Sequence, residues 1–284
     1  GVVTAKSTSL DVSRMEIAPD FEHATTPHPH PHFTIKEALE QPESIARALS
    51  YGARMSDNRI VLGGLDTNKA TMKDIHNMLL TACGTSMHAA SLGAKIMRDL
   101  ECFDTVSVLD AAEVRRTDIP RKHGGLLAVS QSGETKDVVR AVKIGASESV
   151  PCVSVVNSVG SLIARTTGCG VYLNAGRENA VASTKAFTSQ VTVLTLIALW
   201  FRQLREDSGE LAESPLKKQM IEALQRLPIT FGMTFKLRDR CKEIAKELDN
   251  SHSIFLLGKG YGEPIAVEGS LKLKEIGYIH AEGG

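Results

Sequence analysis

The chain has 284 residues, of which 42% are hydrophobic and 23% charged, a composition typical of a globular protein rather than of a disordered one. Thirty-three basic and thirty-three acidic residues give a formal net charge of +0, so no basic excess points to nucleic acid. The longest apolar runs, such as residues 191–201, are shorter than the ~20 residues that span a bilayer, and no signal peptide is recognisable. We therefore expect no nucleic-acid partner and no membrane role.

Five cysteines are spread along the chain without a C-x-x-C pair. An odd number of widely spaced cysteines is typical of reduced thiols rather than of a disulfide framework. The sequence therefore predicts a cytoplasmic protein.

The first 33 residues lack sustained periodicity and end in alternating prolines and histidines, which favour an extended backbone. We interpret residues 1–33 as a linker or the tail of a preceding domain. His28, His30 and His32 could in principle hold a metal ion, but an exposed proline-rich strip lacks the further ligands and supporting hydrogen bonds that a metal site needs. We therefore expect no metal here.

Two helical segments are predicted next. Residues 34–37 (Thr-Ile-Lys-Glu) have the spacing of a capping box, which predicts a helix start. Pro42 is expected to kink or restart this helix before a second helical segment at residues 45–55.

From residue 77 onward, short apolar runs alternate with helical patterns. The runs predict five strands, at residues 78–83, 105–109, 126–129, 152–156 and 170–173. Helices are predicted between most of them, including residues 89–100, and a long helix follows the fifth strand and ends near residue 204. Strands that are almost entirely apolar and that alternate with helices indicate a parallel sheet covered on both faces, and hence an α/β fold.

Hydroxyl side chains recur where predicted strands give way to helices, at residues 84–86, 130–135 and 183–184. Ligands bind at the carboxyl edge of a parallel sheet, and helix N-termini there offer free N–H groups to an anion. Hydroxyls without a run of Arg or Lys suit a small phosphate ester better than a nucleotide, and the P-loop signature is missing. The alternative is that Ser132 only caps a helix. The glycine-rich residues 258–262 are at least as well explained as a plain turn.

A helix predicted at residues 264–276 would place Glu268, Lys272 and Glu275 on one face. The neighbouring positions are apolar, and charge on a mostly buried helix has to be paired or to face a ligand. The alternative is an ordinary Glu268–Lys272 ion pair, worth ~0.2 to 0.5 kcal/mol, with Glu275 solvated.

Four motifs carry a resemblance to a known family: residues 82–86 (ACGTS), 130–135 (SQSGET), 181–188 (VASTKAFT) and 268–275 (EGSLKLKE). In order and approximate spacing they resemble the sugar-isomerase (SIS) region of the glucosamine-6-phosphate synthases, the glutamine:fructose-6-phosphate amidotransferases. The resemblance covers about residues 33–284.

The resemblance implies three-layer α/β/α sandwich domains, each with a five-stranded parallel sheet. A first, complete domain would occupy residues 34–206 and a helical connection residues 207–250. Residues 251–284 would begin a second domain that is truncated.

Roles for individual residues also follow from the resemblance. Fructose 6-phosphate would be bound by eight residues, the last two of them toward the sugar: Thr85, Ser86, Ser130, Gln131, Ser132, Thr135, Val181 and Ser183. Glu275 would be the proton-transfer base, assisted by Lys272. The family's mechanism requires neither pyridoxal phosphate nor a metal, so no cofactor is implied.

The family converts fructose 6-phosphate, with ammonia from glutamine, to glucosamine 6-phosphate, the first step of hexosamine biosynthesis. Its active site is assembled across a dimer, so the resemblance implies a homodimer and a glutaminase domain as partner. The family's glutaminase cysteine, ring-opening histidine and imine-forming lysine have no counterpart here. We therefore expect a piece of a longer gene product that makes no glucosamine 6-phosphate from glutamine by itself.

Arg177 stands where the family usually has a proline or a small residue, so the shape of the local loop is left open. The alternative function is a module that binds or senses sugar phosphates without turnover, because the superfamily supports both and a fold does not determine activity. Glu275 and Lys272 favour the enzyme.

Overall fold

A computed structural model describes residues 26–284. The predicted N-terminal linker therefore lies mostly outside the described residues. The first elements of the chain precede the main sheet: α1 (Phe33–Leu39), α2 (Gln41–Ala48), β1 (Met55–Ser56), β2 (Arg59–Ile60), α3 (Gly63–Asp66) and α4 (Lys69–Lys73). Strands β1 and β2 form an antiparallel pair.

The predicted capping box at residues 34–37 is wrong. Helix α1 begins at Phe33 after an extended His32, and no side chain caps its first turn. Glu37 does not reach back to the helix start, because its carboxylate accepts hydrogen bonds from a loop more than 140 residues away. Pro42 restarts the helix as predicted, and it lies in the first turn of α2.

The helix predicted at residues 45–55 is also wrong beyond Ala48. Ser50 and Tyr51 have positive φ angles of 49° and 50°, a conformation that ends a right-handed helix. The guanidinium of Arg54 donates a hydrogen bond to the carbonyl of Ala48 and satisfies this end of α2.

The five predicted strands are confirmed, and they form one parallel sheet in the order β4-β3-β5-β6-β7. The strands are β3 (Asn77–Ala82), β4 (Thr105–Asp110), β5 (Gly124–Ser130), β6 (Cys152–Val156) and β7 (Gly170–Tyr172). Every residue of the central strand β5 is buried, as a near-continuous apolar run predicts for a strand covered on both faces.

Four helices cover the two faces of this sheet: α5 (Thr85–Asp99), α6 (Lys136–Ser147), α7 (Leu162–Thr167) and α8 (Lys185–Asp207). Leu80 and Leu127 belong to one core together with residues of α5 and α8. The alternate positions Leu79 and Leu126 belong to a second core with residues of α6 and α7. The period-2 alternation of the strands thus builds two cores, which confirms the predicted three-layer α/β/α sandwich.

The chain continues with α9 (Pro215–Met233), α10 (Arg238–Leu248), β8 (Ser253–Leu256), α11 (Gly262–Lys272) and β9 (His280–Gly283). Strands β8 and β9 pair in parallel. The helix predicted at residues 264–276 is an α-helix only to Lys272 and continues as a π-helical turn at Leu273–Gly277. The domain boundaries given above stay predictions.

Helix α8 is buried along most of its length because it lies between the sheet and the outer helices α2 and α9. Its Trp200 and Phe201 are among the largest fully buried side chains, and truncating such a residue costs about 3–5 kcal/mol. No helix within residues 26–284 combines the length and apolarity needed to cross a membrane.

Two glycines shape the turns at the carboxyl edge of the sheet. Gly84 follows β3 and Gly133 follows β5, and both have positive φ angles, 55° and 68°. A Cβ atom on Gly133 would lie 2.0 Å from the Ser161 hydroxyl oxygen, so glycine is required there for space as well as for backbone conformation. Both turns bring the chain directly into the site described next.

Candidate functional site

The turns after β3 and β5 form two sides of a cavity of about 280 Å³ at the carboxyl edge of the sheet. Its third side is the loop between β7 and α8, residues 173–184, which we call the pocket loop. The cavity is lined by Cys83, Thr85, Ser86, Gln131, Ser132, Thr135, Glu178, Ala180, Val181 and Ser183. Seven of the eight predicted substrate-binding residues are therefore brought together, and only Ser130 is missing from the lining.

Ser130 lies beneath the cavity, with 2% of its surface exposed. Its hydroxyl oxygen accepts a hydrogen bond from the Gly133 N–H (3.0 Å) and lies 3.1 Å from the Thr135 hydroxyl. These contacts hold the turn that carries Gln131 and Ser132. The Ser130 side chain therefore supports the cavity from below and does not line it.

Ser132 does not cap a helix. Helix α6 begins at Lys136, and the residue before it is Thr135, whose side chain forms no cap. The Ser132 hydroxyl instead accepts a bond from the Glu134 N–H (3.2 Å). Because this bond uses only a lone pair, the hydroxyl hydrogen remains available to an acceptor in the cavity.

Ser86 is held by a residue that the sequence analysis missed. The side-chain amide of Gln190, on α8, donates from Nε2 to the Ser86 hydroxyl oxygen (2.8 Å). An amide NH₂ can only donate, so Ser86 is the acceptor in this pair and its own hydrogen is free to donate. Gln190 is buried, and its Oε1 has no partner among the described residues.

Glu178 carries the only charged side chain in the cavity lining. Its carboxylate accepts bonds from the Ser183 hydroxyl (2.8 Å) and from the N–H groups of Thr184 (2.9 Å) and Ala186 (3.1 Å). A carboxylate therefore already occupies the N-terminus of α8, where its charge is favourable. Helix α5 begins at Thr85 and helix α6 follows Thr135, so the N-termini of both helices lie at the cavity.

A second group of polar residues lies where α11 packs against α5. We call His88, Glu268, Lys272 and Glu275 the charged cluster. Glu268 is buried, and its two carboxylate oxygens contact His88 Nδ1 (2.7 Å), the Thr85 hydroxyl (3.0 Å) and Lys272 Nζ (3.2 Å). Lys272 Nζ also contacts Glu275 Oε2 at 2.7 Å. The alternative of an isolated Glu268–Lys272 pair is therefore wrong.

Thr85 joins the cavity to the charged cluster. Its hydroxyl lines the cavity, donates to Glu268 and accepts from Lys272 Nζ (3.0 Å). Glu275 is thus two hydrogen-bonded steps from the cavity, through Lys272 and Thr85. Among the predicted binding residues, Thr85 is thus hydrogen-bonded to the charged cluster, although 187 positions separate Thr85 from Lys272 in the sequence.

Cys83 lies in the cavity wall as a neutral thiol. Burial raises its pKa, and the nearby carboxylates of Asp110 and Asp137 raise it further. Its Sγ lies 3.8 Å from Asp110 Oδ1. A thiol that resists ionisation is a poor nucleophile, so the geometry favours a packing role for Cys83.

Three residues of the site, Glu178, Gln190 and His88, were missed by the sequence analysis. Gln190 offered a signal, because an amide within the mostly apolar helix α8 needs a partner. Glu178 and His88 offered none beyond their proximity to the motifs.

Residues 71–200 match the family model of the SIS domain. The chain is 36% identical, over 96% of its length, to glutamine–fructose-6-phosphate aminotransferase (isomerizing) of Bacteroides thetaiotaomicron, and covers 45% of that protein. The enzyme of the same name from Chlorobaculum tepidum is 38% identical over 89% of this chain, which covers 40% of it.

A solved structure agrees with these matches. The C-terminal domain of glucosamine-fructose-6-phosphate aminotransferase from Francisella tularensis aligns with a TM-score of 0.81 and 29% identity, over 89% of this chain and 70% of that one. The chain spans less than half the length of the two relatives named above. Residues 71–200 therefore form an SIS domain, and over most of its length the chain is similar to the SIS region of the glutamine–fructose-6-phosphate aminotransferases.

Proposed function

We propose that the cavity binds the phosphate group of fructose 6-phosphate or glucosamine 6-phosphate. The observation that carries this proposal is the convergence of hydroxyl and amide side chains from three separate segments, after β3, after β5 and before α8, on one cavity at the carboxyl edge of the sheet. Ser86, Gln131, Ser132 and Thr135 would bind the phosphate. Val181 and Ser183 would face the sugar.

The electrostatics suit an anion that is held by neutral donors. The Ser86 and Ser132 hydroxyls accept bonds from within the protein, which leaves their hydrogens for phosphate oxygens. Helix α5 begins at Thr85 in the cavity lining, and the dipole at its N-terminus favours negative charge there. Glu178 is the only lining carboxylate, and its charge is already compensated by two N–H groups and a hydroxyl.

In the longer protein, we propose, Glu275 transfers a proton between C1 and C2 of the open-chain sugar. A carboxylate that accepts the proton from C1 and returns it to C2 ends the reaction in its starting state. The Lys272 ammonium, 2.7 Å from Glu275 and 3.0 Å from Thr85, would stabilise the negative charge that develops on oxygen. The positions of these residues support isomerisation rather than binding alone.

The activity of the longer protein is proposed from its relatives. It would be a glutamine–fructose-6-phosphate aminotransferase (isomerizing), which makes glucosamine 6-phosphate with ammonia from a glutaminase domain. We propose a homodimer in the cytoplasm, and the chemistry calls for no cofactor. The sugar-isomerase domain would extend over residues 34–206, followed by the connection and the start of a second domain.

Titration calorimetry with three ligands tests the binding proposal: fructose 6-phosphate, fructose and inorganic phosphate. We expect the phosphorylated sugar to bind at least tenfold more tightly than fructose, since several hydrogen bonds to a charged group contribute about 1.5–3 kcal/mol each. Equal affinities for the two sugars would contradict the phosphate site. The Ser132→Ala variant should weaken binding of both phosphate ligands.

A further inference from the structure

We infer that Glu37 is a positioning residue for the sugar side of the cavity. This inference rests on the proposed function and adds to it a residue outside the four motifs. Glu37 lies on α1, and none of its atoms lines the cavity. It would act by holding the backbone of the pocket loop, which carries Val181 and Ser183.

The contacts of Glu37 are unusual for a glutamate on a short helix. Only 2% of its surface is exposed. One carboxylate oxygen accepts from the N–H of Asn179 (2.6 Å), and the other accepts from the N–H of Ala180 (3.1 Å). A buried carboxylate is costly unless it is hydrogen-bonded, so both bonds are needed to keep the charge inside.

Two further residues of the N-terminal helical segment, Arg47 and Glu40, make contacts at the two ends of the same loop. At its start, the Arg47 guanidinium on α2 donates to the carbonyls of Asn174 (3.0 Å) and Ala175 (2.9 Å). Beyond its end, Lys185 is buried, and its Nζ contacts Glu40 at 2.7 Å. The N-terminal helices thus contact the pocket loop at its beginning, middle and end.

The loop needs such support at Val181, because Ser183 is held by Glu178 whereas the Val181 side chain has little packing of its own. Val181 is 97% exposed, so its position in the cavity wall depends on the backbone on either side of it. The Glu37 bonds are made at Asn179 and Ala180, two residues and one residue before Val181. The phosphate side of the cavity is built by different turns and has no contact with Glu37.

This separation predicts a selective defect. In Glu37→Gln, one oxygen is replaced by an NH₂ group that faces an N–H of the loop, so one bond is lost and two donors oppose each other. We expect the affinity for glucosamine 6-phosphate to fall about tenfold, from the loss of one charged hydrogen bond. The affinity for inorganic phosphate should stay within about twofold.

Calorimetric titration of wild type, Glu37→Gln and the matched control Glu222→Gln, at an exposed position on α9, measures both affinities. Hydrogen exchange at the Asn179 and Ala180 amides should accelerate only in Glu37→Gln. Equal weakening of both ligands would overturn the inference, since it would show a general role in folding, and so would an unchanged sugar-phosphate affinity. A wild-type protein that fails to prefer the sugar phosphate over inorganic phosphate would instead contradict the proposed function.

If Glu37→Gln does not fold, Glu40→Gln provides the second variant, because Glu40 is one-third exposed and its loss breaks only the Lys185 ion pair. The same selective loss, of a few-fold, is expected. An unchanged preference for the sugar phosphate in that variant would overturn the inference.

Discussion

The phosphate side of the cavity and the charged cluster are built in opposite ways. The turn after β5 is held by bonds that span two to five residues, as in Ser130–Gly133 and Ser132–Glu134. The charged cluster depends on bonds between residues 180 or more positions apart, as in Thr85–Glu268 and His88–Glu268. The turn after β5 can therefore form from a local motif, whereas the charged cluster requires α11 to dock on α5.

The largest expected effect is on the rate of isomerisation by the longer protein, when Glu275 of the charged cluster is changed. Glu275→Gln keeps the shape of the side chain and removes the base. It should lower isomerisation by ~10² to 10⁴-fold, the usual contribution of one positioned acid–base group. Sugar-phosphate affinity should stay within about an order of magnitude, because the residues proposed to bind the phosphate lie on the turns after β3 and β5. Assays of turnover and of binding measure both quantities, with Glu247→Gln on the exposed α10 as control. Near-normal turnover would return Glu275 to the role of a solvated helix residue.

Stability should respond most strongly at Glu268. Glu268→Gln removes a buried negative charge and leaves Lys272 and His88 without their shared partner. We expect the free energy of unfolding to fall by about 3 kcal/mol, the lower end for breaking a buried pair, because Lys272 retains Glu275. Urea unfolding measures the change, and Glu263→Gln, which breaks the more exposed pair with Lys95, should cost about 1 kcal/mol or less. Equal losses of unfolding free energy in the two variants would show that the charged cluster stabilises the protein no more than an exposed ion pair does.

A smaller effect on binding is expected at Gln190. Glu in place of Gln190 would accept the Ser86 hydrogen and so remove a donor from the cavity. The affinity for fructose 6-phosphate should fall about tenfold or more in Gln190→Glu. Gln190→Met, which keeps the size and removes the bond, should weaken binding less. If Gln190→Glu binds as wild type does, Ser86 is not oriented by Gln190. Thermal melts of both variants separate binding from folding.

The smallest effect concerns the reactivity of Cys83. Its raised pKa keeps the thiol protonated at pH values where an ordinary exposed cysteine begins to ionise, so fewer thiolates are available. In a background with the exposed Cys241 changed to Ser, alkylation of Cys83 should be slow at pH 8 and rise at higher pH. Bound fructose 6-phosphate should protect it, because Cys83 lines the cavity. Fast alkylation at pH 7 would contradict the neutral thiol.

The sheet could be predicted from the sequence because each strand is an apolar run and each turn carries its own glycine or hydroxyl signal. The hydroxyl pattern together with the family resemblance predicted seven residues of the cavity lining. Glu37 was misread as part of a capping box because its partners Asn179 and Ala180 lie about 142 residues away, and no local pattern reports such a contact. The network around Glu268 was underestimated for the same reason.

If the hydrogen bonds of Thr85 join the cavity and the charged cluster into one site, Thr85 and Lys272 should be energetically coupled in ligand binding. A double-mutant cycle of Thr85→Val and Lys272→Met, with glucosamine 6-phosphate affinity as the readout, measures this coupling. The two side chains lie 3.0 Å apart, so we predict a coupling energy of about 0.5–3 kcal/mol, as for residues in one hydrogen-bonded network. Additivity within about 0.3 kcal/mol, the behaviour of independent sites, would contradict a single joined site.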